Sequence, residues 1–224
     1  MKLSVLRSTA DWVAVDKPMG MPVIPGRPSE TQGPVVRTLL EAQLDQQVWV
    51  VHRLDRDTSG VLLFALNAQT HRALSMAFEH GQVTKRYLAL VHGAVSGPWV
   101  SEQPLVPARR GRMRVARAGE TGKPARTRFA VRQTWKTASL VEAWPETGRT
   151  HQIRVHLLAA GHPLLVDHQY GRPNFWEVKD EVVLARTPLH ASRVTFSLHG
   201  AEETVEAQLP ADMQRAKILL DSGL

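Results

Sequence analysis

With 224 residues, 43% of them hydrophobic and 22% charged, the chain has an ordinary globular composition and enough length for one large domain or two small ones. It lacks cysteine, which excludes disulfides, thiolate metal sites and cysteine nucleophiles and suits a reducing, cytoplasmic setting. No apolar run approaches a membrane span, and the first eleven residues, with Lys2, Arg7 and Asp11, do not read as a signal peptide. The net charge of +7 has one source: residues 107–128, PARRGRMRVARAGETGKPARTR, hold eight basic side chains and one acid, Glu120. The rest of the chain is formally neutral. Arginine pairs well with phosphate, so this Gly- and Arg-rich strip points to a nucleic-acid partner. The plainer reading is a solvated loop that serves solubility.

In chain order, WVAVD at 12–16 reads as a buried strand ended by Lys17-Pro18-Met19-Gly20. Pro22, Pro25, Gly26 and Pro28 then keep the backbone extended and out of any helix. Residues 35–45 carry Val36, Leu39, Leu40 and Leu44 at helical spacing. Asn67 is placed to cap a helix that runs to His80 and stops at Gly81, with Leu74, Ala77 and Phe78 facing inward. Residues 83–92 alternate as a strand with Lys85, Tyr87, Ala89 and Val91 on one face.

Beyond the basic strip, 127–133 and 138–144 read as strands. Thr150 is placed to cap the helix HQIRVHLLAAG, in which Ile153, Leu157 and Leu158 pack inward. Arg149, His151 and Arg154 crowd the start of that helix, against its macrodipole, which calls for an anion nearby. A turn-rich connection, strands at 188–198 and 203–207 and a closing helix complete an α+β pattern on a largely antiparallel sheet.

The centre of the chain is 48–66, VWVVHRLDRDTSGVLLFAL, where two apolar runs of strand character flank HRLDRDTSG. Asp55 lies between Arg53 and Arg56, and the flanking cations favour its anionic form. A carboxylate held in a cationic loop can serve as a nucleophile or as an anchor, or simply as the middle of a surface salt-bridge knot. Other chemistries lack their signatures. His151 and His156 are five apart, not at the spacing of a zinc-protease helix, so no metal site is expected. No GxSxG elbow, P-loop or dinucleotide fingerprint occurs, and a hydrolytic glycosidase lacks a clear second acid.

HRLDRDTSG, with KRYLALVHG and GRTHQIRVHLLAAGHPLLVD, resembles the RluA family of RNA pseudouridine synthases. DKPMG near the start and LHASRVTF near the end extend the resemblance, in the family's order, over roughly residues 12–200. It implies the pseudouridine synthase fold: a largely antiparallel mixed sheet flanked by helices and loops, with an active-site cleft across the sheet. Residues 1–224 are expected to form a single catalytic domain without a separate S4-like RNA-binding module.

The resemblance also implies roles. Asp55 matches the catalytic nucleophile, Tyr87 the active-site tyrosine that packs on the uracil and is a candidate base, and Arg154 the basic residue that pairs with the aspartate. Ile153 matches an apolar pocket residue, and Arg53 an arginine able to fill the space left by a flipped base. Lys17 and Pro18 match a motif that braces the catalytic loop. Arg110, Arg112 and Arg114 of the basic strip are the expected phosphate contacts. The implied reaction isomerises specific uridines of large-subunit ribosomal RNA, transfer RNA or both, and needs no cofactor. VIPGR and ETGKPARTRF resemble family members that act on both RNAs. The expected enzyme is a cytoplasmic monomer; the rival reading is a noncatalytic RNA-binding or ribosome-assembly factor on the same fold.

Overall fold

The computed structural model describes residues 1–25, 33–170 and 173–223; the expectations at Gly26 and Pro28 lie outside them. In chain order the elements are β1 (Ser4–Ser8), β2 (Trp12–Lys17), α1 (Val36–Leu44), β3 (Trp49–Val50), β4 (Ser59–Ala65) and α2 (Ala68–Glu79). There follow β5 (Thr84–His92), β6 (Trp99–Ser101), β7 (Leu105–Pro107), β8 (Met113–Val115), β9 (Thr127–Thr134), β10 (Ala138–Pro145) and α3 (Gln152–Ala159). The last are β11 (Trp176–Val178), β12 (Glu181–Leu184), β13 (Leu189–Leu198), β14 (Ala201–Glu206) and α4 (Ala211–Asp221). The class is α+β, as expected.

Contacts divide the chain into two compact units, one made of 1–85 and 191–208, the other of 86–190 and 209–224. In the first unit the strand order is β1-β2-β4-β13, with β3 also pairing β4 and β14 pairing β13. Both faces of β2 and β4 are covered: Val13, Ala14, Val15, Val61, Leu62, Leu63 and Phe64 are all fully buried. That is why WVAV and VLLFA read as continuous apolar runs rather than alternating ones. One face packs Trp12, Ala14, Val61 and Leu63 against Leu74 and Ala77 of α2 and Phe196 of β13. Asn67 caps α2 as expected, its side chain accepting from Thr70 N–H at 2.8 Å. The first N–H groups of α1, which has no side-chain cap, go instead to the carbonyls of Pro22 and Val23.

Gly60 is the one residue of β4 that had to be glycine. Its φ is +110°, and a Cβ there would lie 2.2 Å from the Ala191 carbonyl oxygen. The backbones of β4 and β13 meet at that point, immediately after the Asp55 loop.

The second unit is built on the order β5-β10-β9-β6, all antiparallel. Alternate residues of β5 serve two helices. Tyr87, Ala89 and Val91 belong to a cluster with Ile153 and Leu157 of α3, while Leu88 and Leu90 join Met213, Ala216 and Leu220 of α4.

Two expectations are corrected here. The strip 107–128 is not a bare loop: β7 and β8 form an antiparallel hairpin closed by a 3-10 turn at Arg109–Gly111, with Arg110 left-handed at φ 58°. Its inner side is apolar, Leu105, Met113 and Val115 packing with Val155 and Tyr170. Nor does Thr150 cap α3. The cap position is His151, left-handed at φ 54°, without a side-chain cap bond. Gln152 does the anchoring: its Oε1 accepts from Thr147 Oγ1 and Arg149 N–H, and its Nε2 donates to the Arg126 carbonyl and Thr127 Oγ1. One buried amide thereby fixes the whole turn onto β9.

Candidate active site

The Asp55 loop is fixed at both ends and from below. At its entry, His52 Nε2 accepts the Leu63 N–H at 3.0 Å while its ring stacks on Phe78 at 4.4 Å. Burial pushes the His52 pKa down to about 3, with the nearby Lys85 cation adding to the effect. The ring is therefore neutral with its proton on Nδ1. Asp55 itself is half-buried, and its carbonyl accepts the Thr58 N–H at 3.1 Å in a turn. The next residue, Arg56, is held twice. Its Nε donates to the Gly20 carbonyl at 2.9 Å, and its own carbonyl accepts from Lys17 Nζ at 2.8 Å.

Lys17 is fully buried, and its ammonium also donates to the Pro18 carbonyl at 2.8 Å. A buried ammonium needs such acceptors, since an unpaired one would not remain charged. The segment Lys17–Gly20 is thus tied to the Asp55 loop by two bonds from opposite directions. Arg53, two residues before Asp55, is exposed.

In the second unit, Tyr87 is half-buried against the cluster that holds Ile153, so these two expected site residues do come together. Arg154 is buried and bidentate on Asp167, Nε to Oδ2 at 2.8 Å and Nη2 to Oδ1 at 2.7 Å. Gln169 Oε1 accepts from Nη2 at 2.8 Å, and the guanidinium lies 5.0 Å from the centre of the Tyr170 ring. The anion demanded by a cation in the first turn of α3 is therefore, at least in part, the Asp167 carboxylate. Planar, bidentate pairing of this kind is what lets a guanidinium stay buried.

Sequence reasoning passed over Asp167, Tyr170 and His52. The signal for Asp167 was available: it is the one acid ending an apolar PLLV run, and an acid there needs a partner.

The three expected phosphate contacts differ. Arg110 and Arg112 are exposed at the hairpin end, as is Arg109, and none of the three has a side-chain partner among the described residues. Arg114 instead grips Glu120 through both nitrogens at 2.6 and 2.7 Å. That bond, joined by the Arg117 N–H, holds the Glu120 carboxyl down to about 2. The strip's single acid is spent on ordering the strip.

The sequence model of the RNA pseudouridylate synthase family matches residues 11–159. The chain belongs to this family. Among relatives, it is 38% identical over 214 residues to ribosomal large subunit pseudouridine synthase C of Pasteurella multocida, covering 92% of this chain and 64% of that protein. It is 37% identical over 221 residues to ribosomal large subunit pseudouridine synthase D of Nitrosomonas europaea, covering 94% and 63%. The chain thus spans slightly under two thirds of the length of these relatives. The fold agrees with that of two human proteins, RNA pseudouridylate synthase domain containing 4 and 1. Their TM-scores are 0.75 and 0.76, each at 24% identity, covering 96% and 99% of this chain and 93% and 95% of theirs. HRLDRD, KRY and HQIR all lie within the matched residues.

Proposed function

We propose that this chain isomerises uridine to pseudouridine in structured RNA, with large-subunit ribosomal RNA as the first substrate and transfer RNA stem-loops as a second. The observation that carries the reading is the bracing of the Asp55 loop by a buried ammonium on the very next carbonyl. A loop that only carried surface ion pairs would have no use for such a support, whereas a reacting carboxylate must be held to a fraction of an ångström. The relatives' names supply the substrate class.

In this reading Asp55 is the nucleophile, and the uracil–ribose bond breaks. The base turns and is rejoined through a ring carbon, the bond to Asp55 is released, the former glycosidic nitrogen gains a proton and the ring carbon loses its own, so no atom is gained or lost. Tyr87 packs on the uracil and takes that proton, Ile153 lines the pocket, and Arg154 is the site's cation. Arg53 fills the space of the extruded nucleotide. Extrusion costs a few kcal/mol. Phosphates drawn to Arg110 and Arg112 offset it, while Arg114 keeps the hairpin in shape. The enzyme works as a cytoplasmic monomer without a cofactor.

The test is a pseudouridine map of total RNA from cells with and without the gene. Sites that vanish, and return with wild type but not with Asp55→Asn, establish reaction and substrate together. Restoration by Asp55→Asn refutes the nucleophile.

A further inference from the structure

Tyr170 lies beyond the matched residues 11–159 and has no part in the roles above, yet it touches both halves of the second unit's machinery. Its hydroxyl accepts the Met113 N–H, where the arginine-bearing turn of the hairpin enters β8, at 2.9 Å. The same hydroxyl is 2.9 Å from Nδ1 of His151, the left-handed residue at the start of α3. The two rings meet edge to face at 5.7 Å. The flat of the Tyr170 ring lies under the Arg154 guanidinium.

The turn that carries Tyr170 is itself closed on Asp167. The Tyr170 N–H donates to the Asp167 carbonyl at 3.2 Å, and the Gln169 N–H to the Asp167 carboxylate at 3.1 Å. Asp167, Gln169 and Tyr170 therefore approach Arg154 from one short segment. Only Tyr170 of the three also reaches the hairpin through a described hydrogen bond. Met113 follows Arg112 directly, so the anchored backbone is that of the phosphate-binding residues themselves.

We propose that Tyr170 is a positioning residue that registers the arginine hairpin against Arg154, so that RNA seated on the hairpin is seated correctly for the reaction. This rests on the function proposed above. Hydroxyl and ring have separable duties: the hydroxyl holds the hairpin, and the ring supports the guanidinium.

The experiment compares Tyr170→Phe and Tyr170→Leu with the hairpin variant Arg110→Glu/Arg112→Glu. The RNA is large-subunit ribosomal RNA from cells lacking the gene. Affinity and its salt dependence are read apart from turnover, and thermal melts check folding. Tyr170→Phe, which keeps the ring, should raise KM and Kd about fivefold, the loss expected for one hydrogen bond, and leave kcat within about twofold. Its salt dependence should become shallower, as a loosened hairpin makes fewer phosphate contacts. Tyr170→Leu should in addition lower kcat by about tenfold, in the range of a lost cation–π support.

If Tyr170→Phe leaves KM and salt slope at wild-type values while the hairpin variant changes both, the positioning role is refuted and the hairpin's role survives. If the hairpin variant changes neither, the hairpin does not hold RNA and the proposal falls with it, although turnover by wild type would still uphold the activity. Absence of turnover in wild type would refute the activity, with the binding data still judging the hairpin. Should the leucine variant not fold, the isosteric phenylalanine decides alone, because a purely structural tyrosine would not shift a salt slope.

Discussion

Lys17→Met offers the sharpest check on how the Asp55 loop is held. The side chains have similar length, so the substitution removes one ammonium and with it the hydrogen bonds to the Pro18 and Arg56 carbonyls. Both bonds are part-buried, and a hydrogen bond from a charged donor is worth about 1.5–3 kcal/mol, giving about 3–6 kcal/mol for two. Relief from burying an ammonium returns part of this, so the net loss should be about 2–4 kcal/mol. Urea unfolding would read it as a lowered midpoint at unchanged slope. Turnover, measured well below the unfolding transition, should fall by at least about tenfold, because a freed Arg56 carbonyl lets the neighbouring Asp55 wander by the ångström that such geometry does not tolerate. A loss under about 0.5 kcal/mol, typical of an uninvolved surface change, with turnover intact would refute the bracing argument.

Other consequences follow from the same geometry. Tyr87→Phe should lower kcat by about a hundredfold with KM little changed if the hydroxyl accepts the proton, and single-turnover rates would show it; an unchanged rate leaves the ring as a packing surface only. Reversal of Arg109, Arg110 and Arg112 to Glu should weaken RNA binding and reduce the log–log salt slope by about 2–3, one step per lost phosphate. Arg114→Glu should act differently, lowering the hairpin's resistance to proteolysis through the lost Glu120 pair; equal salt effects from all four positions would contradict that division. For pH, His52 is depressed in the folded state, so its contribution to stability is complete above its unfolded value near 6.5 and is lost as pH falls toward about 3. Buried His156 is shifted in the same direction and adds to the trend. His52→Gln, which can still accept the Leu63 N–H, should flatten the acid limb of a stability–pH curve; an unaltered limb would place the proton uptake elsewhere.

What could be read from the chain was whatever rests on local pattern. Asn67 announced its helix because capping is a one-residue event, and 127–133 and 138–144 declared themselves as short runs of strand character. The tyrosine and isoleucine of KRY and HQIR came together because each sits on the inward face of an element whose period was plain. The rest depended on partners distant in sequence. Nothing near Thr150 reveals that Gln152 would take over the cap by bonding to Arg126 and Thr127. Nothing near Arg114 says that Glu120 would claim it while Arg110 and Arg112 stay open. The basic strip read as a loop because the strands there are three residues long and its larger apolar residues, Met113 and Val115, are too sparse to show a period.

The interleaving of the two units has a bearing on synthesis. The first unit borrows β13 and β14 from residues 191–208, and Phe196 supplies the edge-to-face partner of Trp12 at 5.2 Å. A nascent chain that has emerged only as far as α3 holds every residue of the family match but lacks the strand that closes β4. Such a fragment would present Val61, Leu63 and Trp12 to water and an unpaired strand edge to its neighbours, the ordinary recipe for aggregation. Isolating 11–159 as a minimal catalytic piece should therefore fail. Residues up to 208 must leave the ribosome before the first unit is whole, and the residues of α4 before the second is, so folding will be correspondingly slow.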